Sequence, residues 1–551
     1  MKTRIRALYG MALVLCVSTF MAFARQTAQQ PPEKKPAVQA QPGQASPPAL
    51  KTAGQAPTPL PPEKPLSITH HTVTIGGRPV AYTATVGTFT VNKGDEQPGA
   101  RIFFMAYTQD GGKDLSTRPI AFVFNGGPGS SSVWLHMGAW GPRRVVMTED
   151  GFSVKPPFGL ADNGNSLLDV TDLVFIDPVS TGYSRPLPGE NKSQFHGVAE
   201  DIASVGEFIR LYVTRYERWA SPKFILGESY GTTRAAGLAG YLQGRTIGMY
   251  LNGIVLISSV LDFQTIRFAP GNNLAYVLFL PHYTATAWYH KKLPPALQSR
   301  PLRDVLEEAG NFALNKYSVA LLKGNRLSAD EAGEIADRLA AYSGLSREYV
   351  RQSNLRVRHD RFVKELLRTD FQTVGRLDSR FKGRDADAAG ETYEFDPASA
   401  AIQGAFSTMF NSYVRTELGY KEDLPYAIYG SVFPWNFQSS PEEAEPGMPS
   451  LMAQARRGGF GVSVTNLSET LRRAMTENPF LQVFCANGYY DGATPYFEAE
   501  YTFSQIGLDG ELKDRIRMGY YEAGHMMYIH TPSHTRLKAD IAGFIGRAAG
   551  K

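Results

Sequence analysis

A serine lies between small residues after an apolar run, in the segment Phe224–Ala235, FILGESYGTTRA. The apolar residues are typical of the end of a buried strand, and the residues beyond Gly231 predict a helix. The five residues Gly227–Gly231 fit GxSxG, in which a tight strand-to-helix turn lifts a serine hydroxyl above a sheet. The same letters can also form an ordinary Gly-Ser turn. The strand before the pattern and the helix after it favour Ser229 as a nucleophile.

A serine nucleophile needs a base and a carboxylate that orients the base, and two later residues fit these roles. Asp491 follows the apolar run LQVFCA, and His525 follows RIRMGYY. The chain order Ser, Asp, His and the positions after strands are those of a hydrolase triad. Asp491 could instead be a turn residue, and His530 and His534 are competing bases near the last predicted helix. Order and position favour Asp491 and His525.

A glycine-rich loop, Asn125–Ser132 (NGGPGSSS), follows the apolar run AFVF. Backbone N–H groups with little side chain around them stabilise the oxyanion that forms when a serine attacks a carbonyl. We expect the N–H groups of Gly127 and of Tyr230 to form this oxyanion hole. Phosphate binding is the other interpretation of glycines after a strand, but the loop has neither the GxGxxG spacing nor GK[ST].

The elements around these motifs alternate between strands and helices. The apolar runs in PIAFVFNGG, DLVFID, KFILGES and GIVLISS predict a mostly parallel sheet with helices on its faces, preceded by a hairpin at Gly76–Gly77. A long helical stretch then intervenes, with a capping box from Ser328 to Glu331, before strands return at LQVFCANGYYDG. This pattern predicts an α/β-hydrolase fold with a helical cap inserted before the last strands. We place the core at residues 66–262 and 476–551 and the cap at 263–475.

The N-terminal segment has the features of an export signal. Basic residues precede an apolar stretch from Ala7 to Phe20, and Ala22–Ala24 offers a cleavage site. We therefore expect residues 1–24 to be a signal peptide, with a membrane anchor as the alternative. Residues 25–65 are rich in Pro, Gln and Ala and predict a disordered linker.

Cysteine content and charge narrow the function classes. The chain has 2 cysteines, Cys16 and Cys485, so removal of a signal peptide leaves no intrachain disulfide, as is common in a bacterial periplasm. We expect an exported bacterial protein, periplasmic or secreted, in which Cys485 is a buried strand residue. With 57 basic and 52 acidic residues the charge is nearly balanced, so nucleic acid is not an expected partner. The chain lacks HExxH and P-loop motifs, so we expect no metal and no other cofactor.

Taken together, NGGPGSSS, GESYG, a late aspartate and GHM resemble, in this order, the serine carboxypeptidase family, the S10 peptidases. The segment Asp172–Pro186, DLVFIDPVSTGYSRP, also resembles the family. Its matching residues are Asp177, Pro178, Gly182, Tyr183 and Ser184. The resemblance extends from Thr72 to Ala548, although the cap matches only in being a helical insert.

This resemblance implies an α/β hydrolase that removes C-terminal residues from peptides, with Ser229, Asp491 and His525 as its triad. The expected partner is a peptide with a free C-terminal carboxylate. No membrane association is expected beyond the signal peptide. The same scaffold could instead be an esterase or an acyltransferase, because all three share an acyl-enzyme. A periplasmic binding protein without catalysis is a further alternative, which the complete triad disfavours.

In the family, the asparagine of NGGPG and the glutamate of GESYG hydrogen-bond the carboxylate of the substrate, which implies these roles for Asn125 and Glu228. Gly126 and Met526 are also implied to line the substrate site, although Met526 could equally be a packed core residue.

Two departures from the family concern the acid groups of the site. This chain has Val123 where the family has tryptophan, and Ala139 where the family has a second glutamate. A glutamic acid can share a proton with the substrate carboxylate, whereas an ionised glutamate repels it. With one carboxyl of the pair missing, we expect carboxylate recognition with a weaker dependence on acid pH.

Overall fold

The computed structural model describes residues 63–93, 97–112, 114–438, 464–507 and 510–550. The predicted signal peptide, 1–24, and all of the predicted linker, 25–65, except its last three residues lie outside the described residues. Within the described residues, no helix is both long enough and apolar enough to cross a bilayer.

Three long antiparallel strands open the described structure. Strand β1 (Ser67–Ile75) pairs with β2 (Arg78–Asn92), and β3 (Pro98–Gln109) pairs with β2 on its other side. The turn between β1 and β2 is Gly76–Gly77, where both φ angles are positive and therefore suit glycine. The predicted hairpin is confirmed.

Short apolar strands form the centre of the sheet, because runs of this kind are stable only when both faces are covered. They are β4 (Ile120–Phe124), β7 (Asp172–Ile176), β9 (Lys223–Glu228), β10 (Gly253–Ile257), β13 (Gln482–Gly488) and β14 (Ile516–Tyr521). The sheet order is β1-β2-β3-β7-β4-β9-β10-β13-β14, and every pairing from β7 to β14 is parallel. The carboxyl ends of these strands therefore meet at one edge.

Short strands complete the described pairings. They are β5 (Arg143–Val145) with β6 (Leu160–Asp162), β8 (Arg185–Pro186) with β3, and β11 (Thr373–Val374) with β12 (Lys382–Gly383).

Helices cover both faces of the sheet. The described helices outside residues 274–416 are α1 (Val198–Arg215), α2 (Tyr230–Gln243), α11 (Ser468–Glu477), α12 (Tyr496–Gln505), α13 (Gly510–Asp514) and α14 (Thr531–Ala548). One apolar cluster contains Val205 and Leu238 of α1 and α2, and the other contains Leu537 and Ile541 of α14. This is the predicted α/β-hydrolase fold.

The chain between β10 and β13 is mainly helical. Besides α11, its described helices are α3 (Leu274–Tyr289), α4 (Pro295–Gln298), α5 (Leu302–Phe312), α6 (Ser318–Lys323), α7 (Ala329–Ser343), α8 (Arg347–Gln352), α9 (His359–Glu365) and α10 (Pro397–Thr416). Helices from α3 to α9 share a separate apolar cluster that includes Tyr283, Leu339 and Phe362. Helix α7 begins with the predicted capping box between Ser328 and Glu331.

The later part of this region packs differently. Phe406 and Phe410 of α10 belong to one cluster of the sheet, and Leu471 of α11 belongs to the other. Among the described residues of this region, it is the stretch from α3 to α9, here called the helical insert, that has its own core. The predicted cap limits, 263–475, stay a prediction.

Candidate active site

Ser229 lies at the junction of β9 and α2. Its φ of 61° and ψ of −130° form a combination that non-glycine residues rarely adopt. The side chains on either side, Glu228 and Tyr230, are buried, whereas Ser229 is partly exposed. The strained turn thus presents the serine hydroxyl at the carboxyl edge of the sheet.

The glycine-rich loop after β4 lies against the start of α2. A Cβ placed on Gly126 would be 2.7 Å from the backbone nitrogen of Gly231, so only glycine allows this approach. Gly127 has a φ of 107°. Among the described residues, the N–H groups of Gly127 and Tyr230 have no hydrogen-bond acceptor. Both predicted oxyanion donors are therefore free to bind a ligand oxygen.

Asp491 and His525 meet at the ends of β13 and β14. The distance from His525 Nδ1 to Asp491 Oδ2 is 2.8 Å. Asp491 Oδ1 also accepts the N–H groups of Ala493, at 2.8 Å, and Thr494, at 3.0 Å. The carboxylate is therefore held at two oxygens, and Nε2 of His525 is the ring nitrogen left for proton transfer.

The two groups shift each other's proton affinity. Burial alone would raise the pKa of Asp491, but the charge of His525 and its hydrogen bond outweigh burial and lower it. Burial alone would lower the pKa of His525, but Asp491 outweighs burial and raises it. Asp491 is thus the ionised partner of a basic imidazole, as an acid–base pair requires.

The competing histidines have other partners. His530 Nδ1 is 2.8 Å from Ser533 Oγ, and His534 Nε2 is 2.9 Å from the carbonyl oxygen of Ala139. Burial lowers the pKa of His534 to about 3, which makes it a poor base. Neither contacts Asp491 through a hydrogen bond in the described residues.

A segment that the sequence analysis missed, Arg376–Ser379, contacts the loops of both Asp491 and His525. It is called the bridging segment below. His525 donates its N–H to the carbonyl of Leu377 at 2.6 Å, and the N–H of Gly492 bonds the carbonyl of Arg376 at 3.0 Å. Asp378 Oδ2 accepts the N–H of Gly524 at 3.0 Å. Backbone bonds of this kind leave no side-chain motif by which a sequence could reveal them.

Asp378 is itself fixed by a buried ion pair. Arg380 Nη2 lies 2.6 Å from Asp378 Oδ2, and both side chains are almost fully buried. The N–H of Ser379 adds a bond to the carbonyl of Tyr490, at 2.9 Å, in the same loop as Asp491.

Two buried histidines of the helical insert also pack on this loop. His282 of α3 and His359 of α9 have ring centroids 5.4 Å apart. A Cβ on Gly492 would be 2.8 Å from His282 Nε2 and closer still to His359 Nε2. Burial lowers the pKa of His282 to about 4 and that of His359 well below its usual value. Both rings are therefore neutral packing groups at neutral pH.

Asn125 and Glu228 are buried beside Ser229, at 1% and 3% exposure. Asn125 Oδ1 accepts the N–H of Leu135 at 3.0 Å, but Asn125 Nδ2 and Glu228 Oε2 have no hydrogen-bond partner in the described residues. Burial raises the pKa of Glu228 to about 7, and the charge of His525 and the polar contacts of Tyr528 and Asn125 with the carboxyl offset part of the rise. Glu228 is thus a neutral acid below that pH.

The remaining predicted residues are also buried. Met526 belongs to an apolar cluster of the sheet, which fits the alternative of a packed core residue. Cys485 is fully buried in β13 as predicted, and burial raises the pKa of its thiol. Among the described residues, no group of three or more His, Cys, Asp or Glu is placed to hold a metal ion.

Several solved structures resemble the chain at low identity. A prohormone-processing carboxypeptidase, Kex1, from Saccharomyces cerevisiae is 16% identical with a TM-score of 0.48, over 85% of this chain and 91% of that one. A proline iminopeptidase from Mycobacterium smegmatis is 13% identical with a TM-score of 0.33, over 84% and 99%. A carboxyl esterase from Bacillus coagulans is 12% identical with a TM-score of 0.32, over 85% and 99%. None of these likenesses carries an argument about the reaction.

Comparison with curated proteins gives no match. The part of the chain that holds the serine corner and the glycine-rich loop, residues 79–265, matches the family model described as serine carboxypeptidase.

Proposed function

We propose that this protein is a serine-type carboxypeptidase that cleaves the last residue from peptides with a free C-terminal carboxylate. The family match over residues 79–265 supports this assignment for the half of the site that contains Ser229. The observation that carries it is a buried carboxyl oxygen of Glu228, next to Ser229, that has no hydrogen bond of ordinary length in the described residues. Such a group is costly unless a ligand satisfies it.

The reaction follows from the roles of the triad. Ser229 Oγ forms a bond to the carbonyl carbon of the last peptide bond while His525 Nε2 takes the hydroxyl proton. The oxyanion accepts hydrogen bonds from the N–H groups of Gly127 and Tyr230. The C–N bond then breaks, and His525 returns the proton to the departing amine. Water attacks the acyl-serine by the same route and restores the free hydroxyl.

The carboxylate of the substrate would bind to Asn125 and Glu228. Below pH about 7, the value to which burial raises the pKa of Glu228, its carboxyl donates a hydrogen bond to that carboxylate. Above this pH the ionised group repels the substrate. The KM for free-acid peptides should therefore rise as the pH rises through about 7, while His525 must be deprotonated to act as base, so kcat falls in acid.

The nucleophile can be tested by labelling with a fluorophosphonate. The wild-type protein should be labelled, and the Ser229→Ala variant should not. Labelling of the variant at the wild-type rate would remove Ser229 from the reaction.

Substrate class can be tested with an N-blocked dipeptide offered as the free acid, the C-terminal amide and an ester. A carboxypeptidase should hydrolyse the free acid with a much higher kcat/KM than the amide. Equal cleavage of acid and amide, with faster cleavage of the ester, would instead identify an esterase on the same scaffold.

A further inference from the structure

A third buried polar group, the hydroxyl of Tyr528, lies beside Asn125 and Glu228. Its ring is fully buried in the turn that follows His525. Asn125 Nδ2, Glu228 Oε2 and the Tyr528 hydroxyl each lack a hydrogen bond of ordinary length in the described residues, and the polar contacts that they do make are with one another. Three polar groups from three separate elements are thus available to a ligand beside Ser229.

Tyr528 is held in position through both its backbone and its ring. The carbonyl oxygen of Tyr528 accepts a hydrogen bond from Arg144 Nη2 at 3.0 Å. A Cβ on Gly138 would lie 2.8 Å from Tyr528 Cε2, so the short helical segment Leu135–Trp140 leaves room for the ring only because it has glycine there. This segment contains Ala139, the position at which the family resemblance leads us to expect a second acidic residue.

The three groups together suit a carboxylate ligand. Asn125 offers an amide N–H, Tyr528 offers an O–H, and Glu228 offers an O–H when protonated. A carboxylate has two oxygens with about four acceptor positions, so it can accept all three bonds. Hydrogen bonds to an ionised group are also the stronger kind, especially where water is excluded.

We propose that Tyr528 is a specificity-determining residue that donates its hydroxyl to the C-terminal carboxylate of the substrate, beside Asn125 and Glu228. This inference rests on the proposed carboxypeptidase function. Burial and the neighbouring Glu228 raise the pKa of Tyr528 well above 10, so its hydroxyl stays a donor at every pH at which the enzyme is used. The Tyr528 hydroxyl can therefore donate a hydrogen bond at neutral pH, whereas Glu228 can do so only while it is protonated.

The test compares Tyr528→Phe with the wild-type protein on the N-blocked dipeptide Phe-Leu as free acid and as amide. The variant should raise the KM for the free acid about tenfold, the effect of one hydrogen bond to a charged group, without changing the KM for the amide. The pH above which the KM for the acid rises should also move upward, because the hydroxyl no longer stabilises ionised Glu228. A purely structural role would move neither quantity.

Two further variants complete the design. Glu228→Gln should abolish the pH dependence of the acid-to-amide KM ratio, because glutamine does not ionise. Tyr521→Phe is the matched control, since it removes a hydroxyl that bonds Asp540 at 2.7 Å, and it should leave the ratio at the wild-type value.

Binding to the inactive Ser229→Ala protein provides a readout that does not depend on turnover. Calorimetry with the same two dipeptides should show that adding Tyr528→Phe weakens only the free acid. An unchanged acid-to-amide ratio in both assays would overturn the role of Tyr528 while the carboxypeptidase proposal stands. If the wild-type protein itself does not distinguish acid from amide, the proposed function fails, and this inference fails with it.

Discussion

The two halves of the candidate triad are held in different ways. On the nucleophile side, Ser229 and the glycine-rich loop are fixed by the sheet and α2, through a strained turn and a close backbone approach. On the acid–base side, the loops of Asp491 and His525 are fixed largely by the bridging segment, Arg376–Ser379, which precedes β13 in the chain. The core also contributes, since Ser258 Oγ, just after β10, donates a hydrogen bond to the carbonyl oxygen of His525 at 2.7 Å. The acid–base side therefore depends on the bridging segment as well as on the hydrolase core.

This difference indicates that mutations outside the core should affect the two sides unequally. A change in the bridging segment or the helical insert should disturb the acid–base side and leave the serine corner intact.

Asp491→Asn should break the acid–base side most completely. An amide in place of the carboxylate favours the wrong tautomer of His525, and comparable changes lower kcat by about 10⁴-fold. The KM should change little, because the described hydrogen bonds of Asp491 go to Ala493, Thr494 and His525 and not to the proposed carboxylate site. Steady-state kinetics on the free-acid dipeptide provide the measurement, and a loss smaller than tenfold would mean that Asp491 does not orient the base.

Asp378→Asn should weaken the support of the acid–base side, although Asp378 is not itself a residue of the triad. It disrupts a buried ion pair with Arg380 and the contact to Gly524, so we expect kcat to fall about tenfold and the free energy of unfolding to fall by about 3 kcal/mol. Urea unfolding and kinetics should be measured on the same preparation.

The matched control for this variant is Asp385→Asn. It disrupts the ion pair between Asp385 and Lys364, whose atoms are 2.5 Å apart and whose side chains are similarly buried. Neither residue takes part in the hydrogen bonds described above for the loops of Asp491 and His525. It should cost similar stability and leave kcat unchanged. An equal fall of kcat in both variants would show that stability, and not positioning, is responsible.

His282→Leu should change how stability depends on pH. The folded-state pKa of His282 is about 4, below the usual 6.5, so the unfolded chain binds a proton that the folded protein does not. The contribution of neutral His282 to the free energy of unfolding is therefore complete above pH 6.5. It is lost as the pH falls toward 4, and the loss is about 3 kcal/mol. The variant should lose correspondingly less between pH 7 and pH 4 in urea unfolding. If the free energy of unfolding depends on pH in the same way in both proteins, this assignment is wrong. The difference between the two proteins at pH 8, where His282 is neutral in both the folded and the unfolded state, measures the effect of the substitution on packing.

Ser328→Ala should have the smallest effect. It removes the capping box of α7, which packs in the separate core of the helical insert, at a cost of about 1 kcal/mol. Thermal unfolding should detect this loss while kcat stays within twofold. A larger change in kcat would mean that the distant part of the insert also controls the triad.

Sequence reasoning succeeds where a local pattern specifies backbone geometry. The apolar runs predict the parallel strands, the GxSxG pattern predicts the corner at Ser229, and Ser328 predicts the start of α7. The contact between Asp491 and His525 follows from chain order and strand ends. Each of these depends on residues adjacent in sequence or on a known order of elements.

The features that sequence reasoning missed depend on contacts between distant segments. The bridging segment acts mainly through its backbone, which any residue type could provide. Tyr528 was overlooked because tyrosine three residues after His525 matches no pattern, and its role emerges only from its position beside Glu228. The packing of α10 against the sheet was equally hidden, since its periodicity shows an apolar face without showing what covers it.

The hydrogen bonds that Gly524 and His525 donate to Asp378 and Leu377 also matter for protein engineering. The predicted cap, residues 263–475, could be exchanged for that of another hydrolase to alter the side-chain preference of the substrate pocket. Such an exchange would also remove the two hydrogen-bond acceptors that hold the turn around His525. A chimera that keeps Gly375–Arg380 from the original chain should retain turnover, whereas one that exchanges this stretch should bind new substrates but process them slowly.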